Sequence, residues 1–235
     1  MTRIHLHRLA ALFSLALSPA LFAQRGGGNL PDMQTIANSL GVTCEYCHVN
    51  PPSFSRQGEA KPEPKKDIAR AMIAMTRELN EKVQAATGKA PNEVTQVTCA
   101  TCHHGLAVPG TLSDVLLKSW KEKGGEGAVA KYRELRQQYY GKNAYDFSEE
   151  ALLAVADRLV RVKPDDALAL LKLDLEYNPK SAKAYAQIGF AYTRKYDDES
   201  AIANYEKSLE LDPNNGVIQG QLAQLKSYRK NKPGN

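Results

Sequence analysis

Cysteine spacing constrains this chain more than any other feature. The 235 residues contain four cysteines, and all four fall in two copies of one pattern, Cys44-Glu45-Tyr46-Cys47-His48 and Cys99-Ala100-Thr101-Cys102-His103. Each is a Cys-x-x-Cys-His, the spacing of covalent c-type haem attachment. Two thiols so spaced can each add to one vinyl group of a haem, and the next residue then falls under the iron as proximal ligand. A redox dithiol, half a zinc site or a local disulfide also uses Cys-x-x-Cys. A zinc ribbon, however, keeps its pairs about 15–20 residues apart, far closer than Cys47 is to Cys99. Neither a dithiol nor a disulfide explains a His after each pair. Cys44, Cys47, Cys99 and Cys102 are therefore the expected thioether residues of two covalently bound haem c groups, with His48 and His103 as iron ligands.

Residues 1–23 read as a secretory signal peptide. Arg3, His5, His7 and Arg8 make a basic start, Leu9 to Leu17 an apolar stretch broken by Ser18-Pro19, and Leu21 and Ala23 a cleavage site. The apolar stretch falls short of the about 20 residues a membrane helix needs. No transmembrane segment is expected in the mature chain, and the location is periplasmic or otherwise exported, which suits haem attachment outside the cytoplasm. The net charge of +5 includes Arg3 and Arg8 of that signal, and the haem propionates would offset most of the rest. Nucleic-acid binding is not suggested.

Residues 24–29 form a Gly-rich flexible leader, and a dihaem domain is expected over 30–111. Pro31 and Asp32 suit a first helical turn, after which Met33, Ile36, Ala37 and Leu40 share a face and Gly41 stops the helix before the first motif. Asn50 to Pro64 is a proline-rich loop. Lys65 to Gln84 is the next helix, with Ile68, Met72, Met75, Leu79 and Val83 as an apolar stripe, and Gly88 to Pro91 ends it before the second motif.

Leu40 to His48, Ala71 to Asn80 and Val97 to Gly105 together resemble the tetrahaem cytochrome c subunit of photosynthetic reaction centres. The likeness is to its second, two-haem half, over roughly residues 30–110, and small exported dihaem relatives of that half are what it resembles most. The resemblance implies a haem-packing helical unit with closely spaced irons, and not photosynthesis. It implies that Met33, on the helix leading into its own motif, is the axial ligand opposite His48. Met75 aligns with a methionine of the family's corresponding helix and is the expected ligand opposite His103. Met72, a neighbouring chain's group or an open iron are the alternatives, since the family's own distal His for that haem belongs to the absent half. His104, Trp120, Tyr139 and Tyr140 read as surface or packing residues, and Lys61, Lys65 and Lys66 as a solvated basic face.

Residues 112–232 change character and read as amphipathic helices. Leu112–Lys123, Gly127–Tyr140, Ser148–Val162 and Pro164–Tyr177 come first. Ala182 to Asn215 then resembles a tetratricopeptide repeat, with Tyr185, Ile188, Gly189, Tyr192, Ala201, Tyr205 and Pro213 at its signature positions. Ala167, Leu171, Leu175 and Pro179 anticipate the second half of that unit one repeat earlier, and Gly216 to Lys230 would cap the array.

The expectation is thus a mostly α protein, with a dihaem cytochrome c module followed by α-hairpin tetratricopeptide-like repeats. It carries electrons between redox proteins and docks a protein or peptide through the repeats. Six-coordinate irons have no site for substrate, so a carrier is favoured over an enzyme. The rival readings are a dihaem peroxidase-like enzyme with one open haem and a haem-based redox or gas-sensing interaction module.

Overall fold

Asp32 opens the first helix, its carboxylate accepting a 2.8 Å hydrogen bond from the Thr35 amide. The computed structural model describes residues 32–48 and 64–231. The expected signal peptide, the leader, Lys61 and the loop from Asn50 up to residue 63 lie outside the described residues.

Regular structure among the described residues is helical throughout. It comprises α1 (Met33–Leu40), α2 (Pro64–Thr87), α3 (Cys99–His103), α4 (Leu112–Tyr139), α5 (Glu149–Val160), α6 (Pro164–Tyr177), α7 (Ala182–Arg194), α8 (Asp198–Leu211) and α9 (Gly216–Lys230). Short 3-10 turns cover Cys44–Tyr46 and Pro91–Glu93. No helix among the described residues is long and apolar enough to cross a membrane.

Local chemistry sets the boundaries. Gly41 ends α1 in the left-handed region at φ 64°, where a side chain is disfavoured. Proline stands at the first position of α2, where its missing N–H costs nothing. In α4 the Thr111 hydroxyl accepts from the Asp114 amide at 3.1 Å. The run then breaks at Gly124 (φ 69°, ψ −167°), and the Ser119 hydroxyl donates to the Gly127 carbonyl across the break at 2.9 Å, so the two helices expected from the sequence are both present, joined at a sharp turn. Asp166, in the first turn of α6, clamps the kink. It accepts from Trp120 Nε1 at 2.7 Å and from the Gly125 amide at 3.1 Å.

The second half stacks as helical hairpins, α5 on α6 and α7 on α8, with α9 laid against α8. Helices α6 and α8 begin and end 34 residues apart, and α7 and α9 begin 34 apart, the period of a tetratricopeptide array. Equivalent small residues, Ala167 and Ala201, are wholly buried where helices approach closely. Gly189 lies under the Tyr205 ring, so close that a Cβ there would sit 2.6 Å from a ring carbon. The Ser208 hydroxyl donates to the Ala182 carbonyl at 2.8 Å across the same hairpin.

A continuous apolar core begins at Leu112 and runs through Ala191. Each large aliphatic side chain buried there contributes about 1.5–3 kcal/mol. Leu116, Leu152, Val155, Leu159, Leu170 and Leu171 form its centre. A smaller cluster of Ala201, Tyr205 and Ile218 extends it under α9.

Candidate functional site

Residues 32–48 and 64–110 are built differently. Ala37 and Leu106 are the buried apolar side chains described there, and α2, although 24 residues long, buries none. Ile68, Met72 and Met75 on α2 stand 58%, 41% and 45% exposed. A helix in water depends on packing its apolar face against something, and here that face looks onto the two cysteine motifs.

Each motif forms a single helical turn. In the first, the His48 amide donates to the Cys44 carbonyl at 3.0 Å and the Cys47 amide to the same carbonyl at 3.3 Å. In the second, Cys99 to His103 is α3 itself. Cysteines at i and i+3 and a histidine at i+4 project from one side of such a turn. That is the arrangement needed to bond one planar group by two edges and reach its centre. The four thiols are unpaired with one another and at least partly accessible.

His103 is oriented from behind. Its Nδ1–H donates to the Leu106 carbonyl at 2.8 Å, which fixes the tautomer and leaves the lone pair on Nε2, the usual condition of a metal-ligating imidazole. The Thr98 amide donates to the Thr101 hydroxyl at 3.0 Å and closes the front of the turn. At the first motif, the Thr43 hydroxyl holds the exposed Glu45 carboxyl below its ordinary pKa.

Two clefts meet these groups. A small one is lined by Met33, Ile36 and Leu40 of α1 together with Cys44, Cys47 and His48, so Met33 and His48 share a site. A larger groove, about 170 Å³, runs along α2 and is lined from both motifs by Cys47, Cys99 and His103, with Ile68, Met72 and Ile73 opposite. Lys65 stands at this groove with its ammonium 3.7 Å from the Tyr46 ring centroid, a cation–π contact that ties the start of α2 to the first motif. Met75 is not among the groove's lining residues. His104 caps α3 at φ 48° and is exposed. Cys102 is exposed.

Three residues that hold this arrangement were not singled out in the sequence. Asn80 acts as a backbone mimic, its Nδ2 donating to the Val97 carbonyl at 2.9 Å and its Oδ1 accepting from the Val97 amide at 2.7 Å. It fastens α2 to the segment leading into Cys99. Ser39 offers its carbonyl to the Gly105 amide at 2.9 Å, and Gly105 in turn lies against Gly41. Asn80 carries no local signal, because a lone polar residue on a helix usually faces solvent.

The donor set fits a covalently held haem. Paired thiols, an imidazole with its Nε2 lone pair available and an apolar wall on α2 are the groups such a macrocycle bonds and packs against. No cluster of three or more His, Cys, Asp or Glu side chains suited to a bare metal ion occurs among the described residues.

Trp120, Tyr139 and Tyr140 lie in the helical half. Trp120 donates to Asp166, Tyr139 packs edge-on against Tyr145 at 5.4 Å, and Tyr140 lies under the Arg136 guanidinium at 4.0 Å.

Over residues 63–172 the chain matches the family model described as photosynthetic reaction centre cytochrome C subunit. The match is a little under half of the chain. It takes in α2, the second motif and the helices from α4 into α6, and leaves out α1 and the first motif. The chain is also 43% identical over 61 residues to the Hsp70-Hsp90 organizing protein of Triticum aestivum, covering 26% of this chain and 10% of that relative. The chain thus spans about a tenth of the length of that protein. A solved structure described as the first TPR of Spaghetti (RPAP3) bound to an HSP90 peptide, SRMEEVD, is similar at a TM-score of 0.37 and 23% identity, over 51% of this chain and 90% of that one. The family match gives a cytochrome-like part, and the 34-residue period of α6 to α9 gives tetratricopeptide-like helical hairpins.

Proposed function

We propose that the protein is an exported dihaem c-type cytochrome that carries electrons between redox proteins and docks a partner through its repeats. The observation that carries this reading is the shared groove, in which Cys47 of one motif and Cys99 and His103 of the other face a single apolar wall on α2.

In this reading Cys44 and Cys47 hold one haem and Cys99 and Cys102 the other, with His48 and His103 as proximal ligands. Met33, in one cleft with His48, is the sixth ligand of the first iron. A haem held this way supplies reversible one-electron iron chemistry, and a neutral methionine sulfur raises its reduction potential. The Leu106 carbonyl behind His103 keeps the imidazole in the ligating tautomer, and the exposed Ile68 and Met72 of the α2 wall would be covered by the bound group. Lys65 and Lys66, beside an Asp67 that pairs with Arg70 at 2.6 Å, leave that end of α2 net positive, which suits an acidic redox partner. The likeness of the repeats to part of a chaperone-organising protein supports docking of a protein or peptide segment.

The test is the visible spectrum of the purified exported protein, reduced anaerobically, before and after carbon monoxide. Two c-type haems unmoved by carbon monoxide support a carrier. A shift in half of the haem exposes an open iron and favours the peroxidase-like or sensing readings. Absence of covalent haem in cells with the attachment machinery overturns the proposal.

A further inference from the structure

We propose that Met72, rather than Met75, is the sixth ligand of the iron held by His103. The inference rests on the dihaem reading above. Its basis is which stretch of α2 meets the groove. Lys65, Ile68, Ala69, Met72 and Ile73 line it, at the i, i+3, i+4, i+7 and i+8 positions that make one helix face. Met72 therefore stands on the wall opposite Cys99 and His103. Met75 shares the apolar stripe of Ile68 but lies past Ile73, the last residue of α2 to line the groove, and is 45% exposed.

The other donors are accounted for. His104 is exposed at the left-handed cap of α3 and does not line the groove. Met33 belongs to the cleft of His48. Cys47 bonds the first haem. Lys65 directs its ammonium onto the Tyr46 ring, at the end of the groove nearest the first motif. That leaves the Met72 thioether, a neutral soft ligand on an unbranched side chain that adjusts its reach without moving the helix. His103, locked by Leu106, presents Nε2 from the opposite wall.

The experiment uses the full-length holoprotein in three forms, wild type, Met72→Leu and Met75→Leu, both changes conserving volume. Covalent haem is first counted by intact mass, and fewer than two per chain in wild type overturns the dihaem reading itself. With two haems present, the readouts are the methionine-to-iron charge-transfer band of the oxidised protein and carbon monoxide binding by the reduced protein. Met72→Leu is expected to lose about half of the band and to bind carbon monoxide at one haem of two, with Met75→Leu matching wild type in both. The assignment is overturned if Met75→Leu shows those losses, if neither variant does, or if wild type already binds carbon monoxide at one haem. If Met72→Leu attaches less haem than wild type, Met72→His decides. A second histidine at the iron restores closure to carbon monoxide and lowers one potential only if position 72 faces it, and failure to do so overturns the assignment.

Discussion

Gly41 and Gly105 meet backbone to backbone, so that a Cβ on Gly41 would lie 2.1 Å from the Gly105 carbonyl oxygen. One glycine stands just before the first cysteine motif and the other just after the second. Their contact, with the Gly105 amide bound to Ser39, joins the beginning of one cysteine turn to the end of the other. Gly41→Ala meets both this overlap and a positive φ. It is expected to cost on the order of 2–4 kcal/mol, the range of a forced backbone shift. Gly105→Ala meets open space and bears only its own positive φ, about 1–2 kcal/mol. Thermal unfolding followed by far-UV circular dichroism should rank the two variants in that order. Equal losses would mean that the close approach does not join the two turns.

Asn80 gives a second handle on the same module. Asn80→Ala leaves the Val97 amide and carbonyl without their partner and should destabilise by roughly 1–3 kcal/mol. Asn80→Asp keeps the acceptor for the Val97 amide and loses only the donor. Hydrogen exchange at the Val97 amide distinguishes them. It should be fast in the alanine variant and close to wild type in the aspartate one.

Much of this architecture is legible in the sequence, and the illegible part has one cause. The Cys-x-x-Cys-His turns are written locally, because residue type and spacing both lie within five consecutive residues. The helical hairpins are legible because Ala167 and Ala201, or Leu171 and Tyr205, recur one repeat apart. The Gly41–Gly105 contact, the Asn80 clamp and the Asp166 brace on Trp120 and Gly125 depend on how separate helices dock, and no local pattern encodes that. The face of α2 is the instructive case. Ile68, Met72, Met75, Leu79 and Val83 form one apolar stripe in the sequence, but the groove takes only its first two members, Ile68 and Met72, and ends before Met75. Met72 and Met75 are equally apolar, and only the placement of α3 distinguishes them.

In the repeats, Gly189 and Tyr205 form a pair whose fit allows no added volume. Gly189→Ala places a methyl within 2.6–3.0 Å of the ring, and overpacking of this kind costs about 1–3 kcal/mol. Urea unfolding monitored by far-UV circular dichroism should show the loss, and the double variant Gly189→Ala/Tyr205→Leu should recover part of it. A double variant no more stable than Gly189→Ala would place the strain elsewhere than on the ring.

Asp174 makes stability depend on pH in an unusual direction. It is wholly buried in α6. One carboxylate oxygen accepts from Asn178 Nδ2 at 2.9 Å and the other has no partner. Burial raises its pKa from 3.8 to about 6, with Glu149 and Glu150 adding to the rise and the Asn178 hydrogen bond opposing it. The folded state therefore holds this proton more tightly than the unfolded chain. Below about pH 4 both states are protonated and the residue costs nothing. Stability falls as pH rises towards 6, and above that the full cost applies, on the order of 2–3 kcal/mol from the size of the shift. Carboxylates with lowered values, such as Asp32 and Asp197, act in the opposite direction, so the wild-type profile alone is a sum. The difference between wild type and Asp174→Asn isolates the residue. The variant should gain stability relative to wild type as pH rises from 4 to 7, with little further change above. A difference that is flat over that interval would mean that Asp174 titrates normally, its orphan oxygen reached by water.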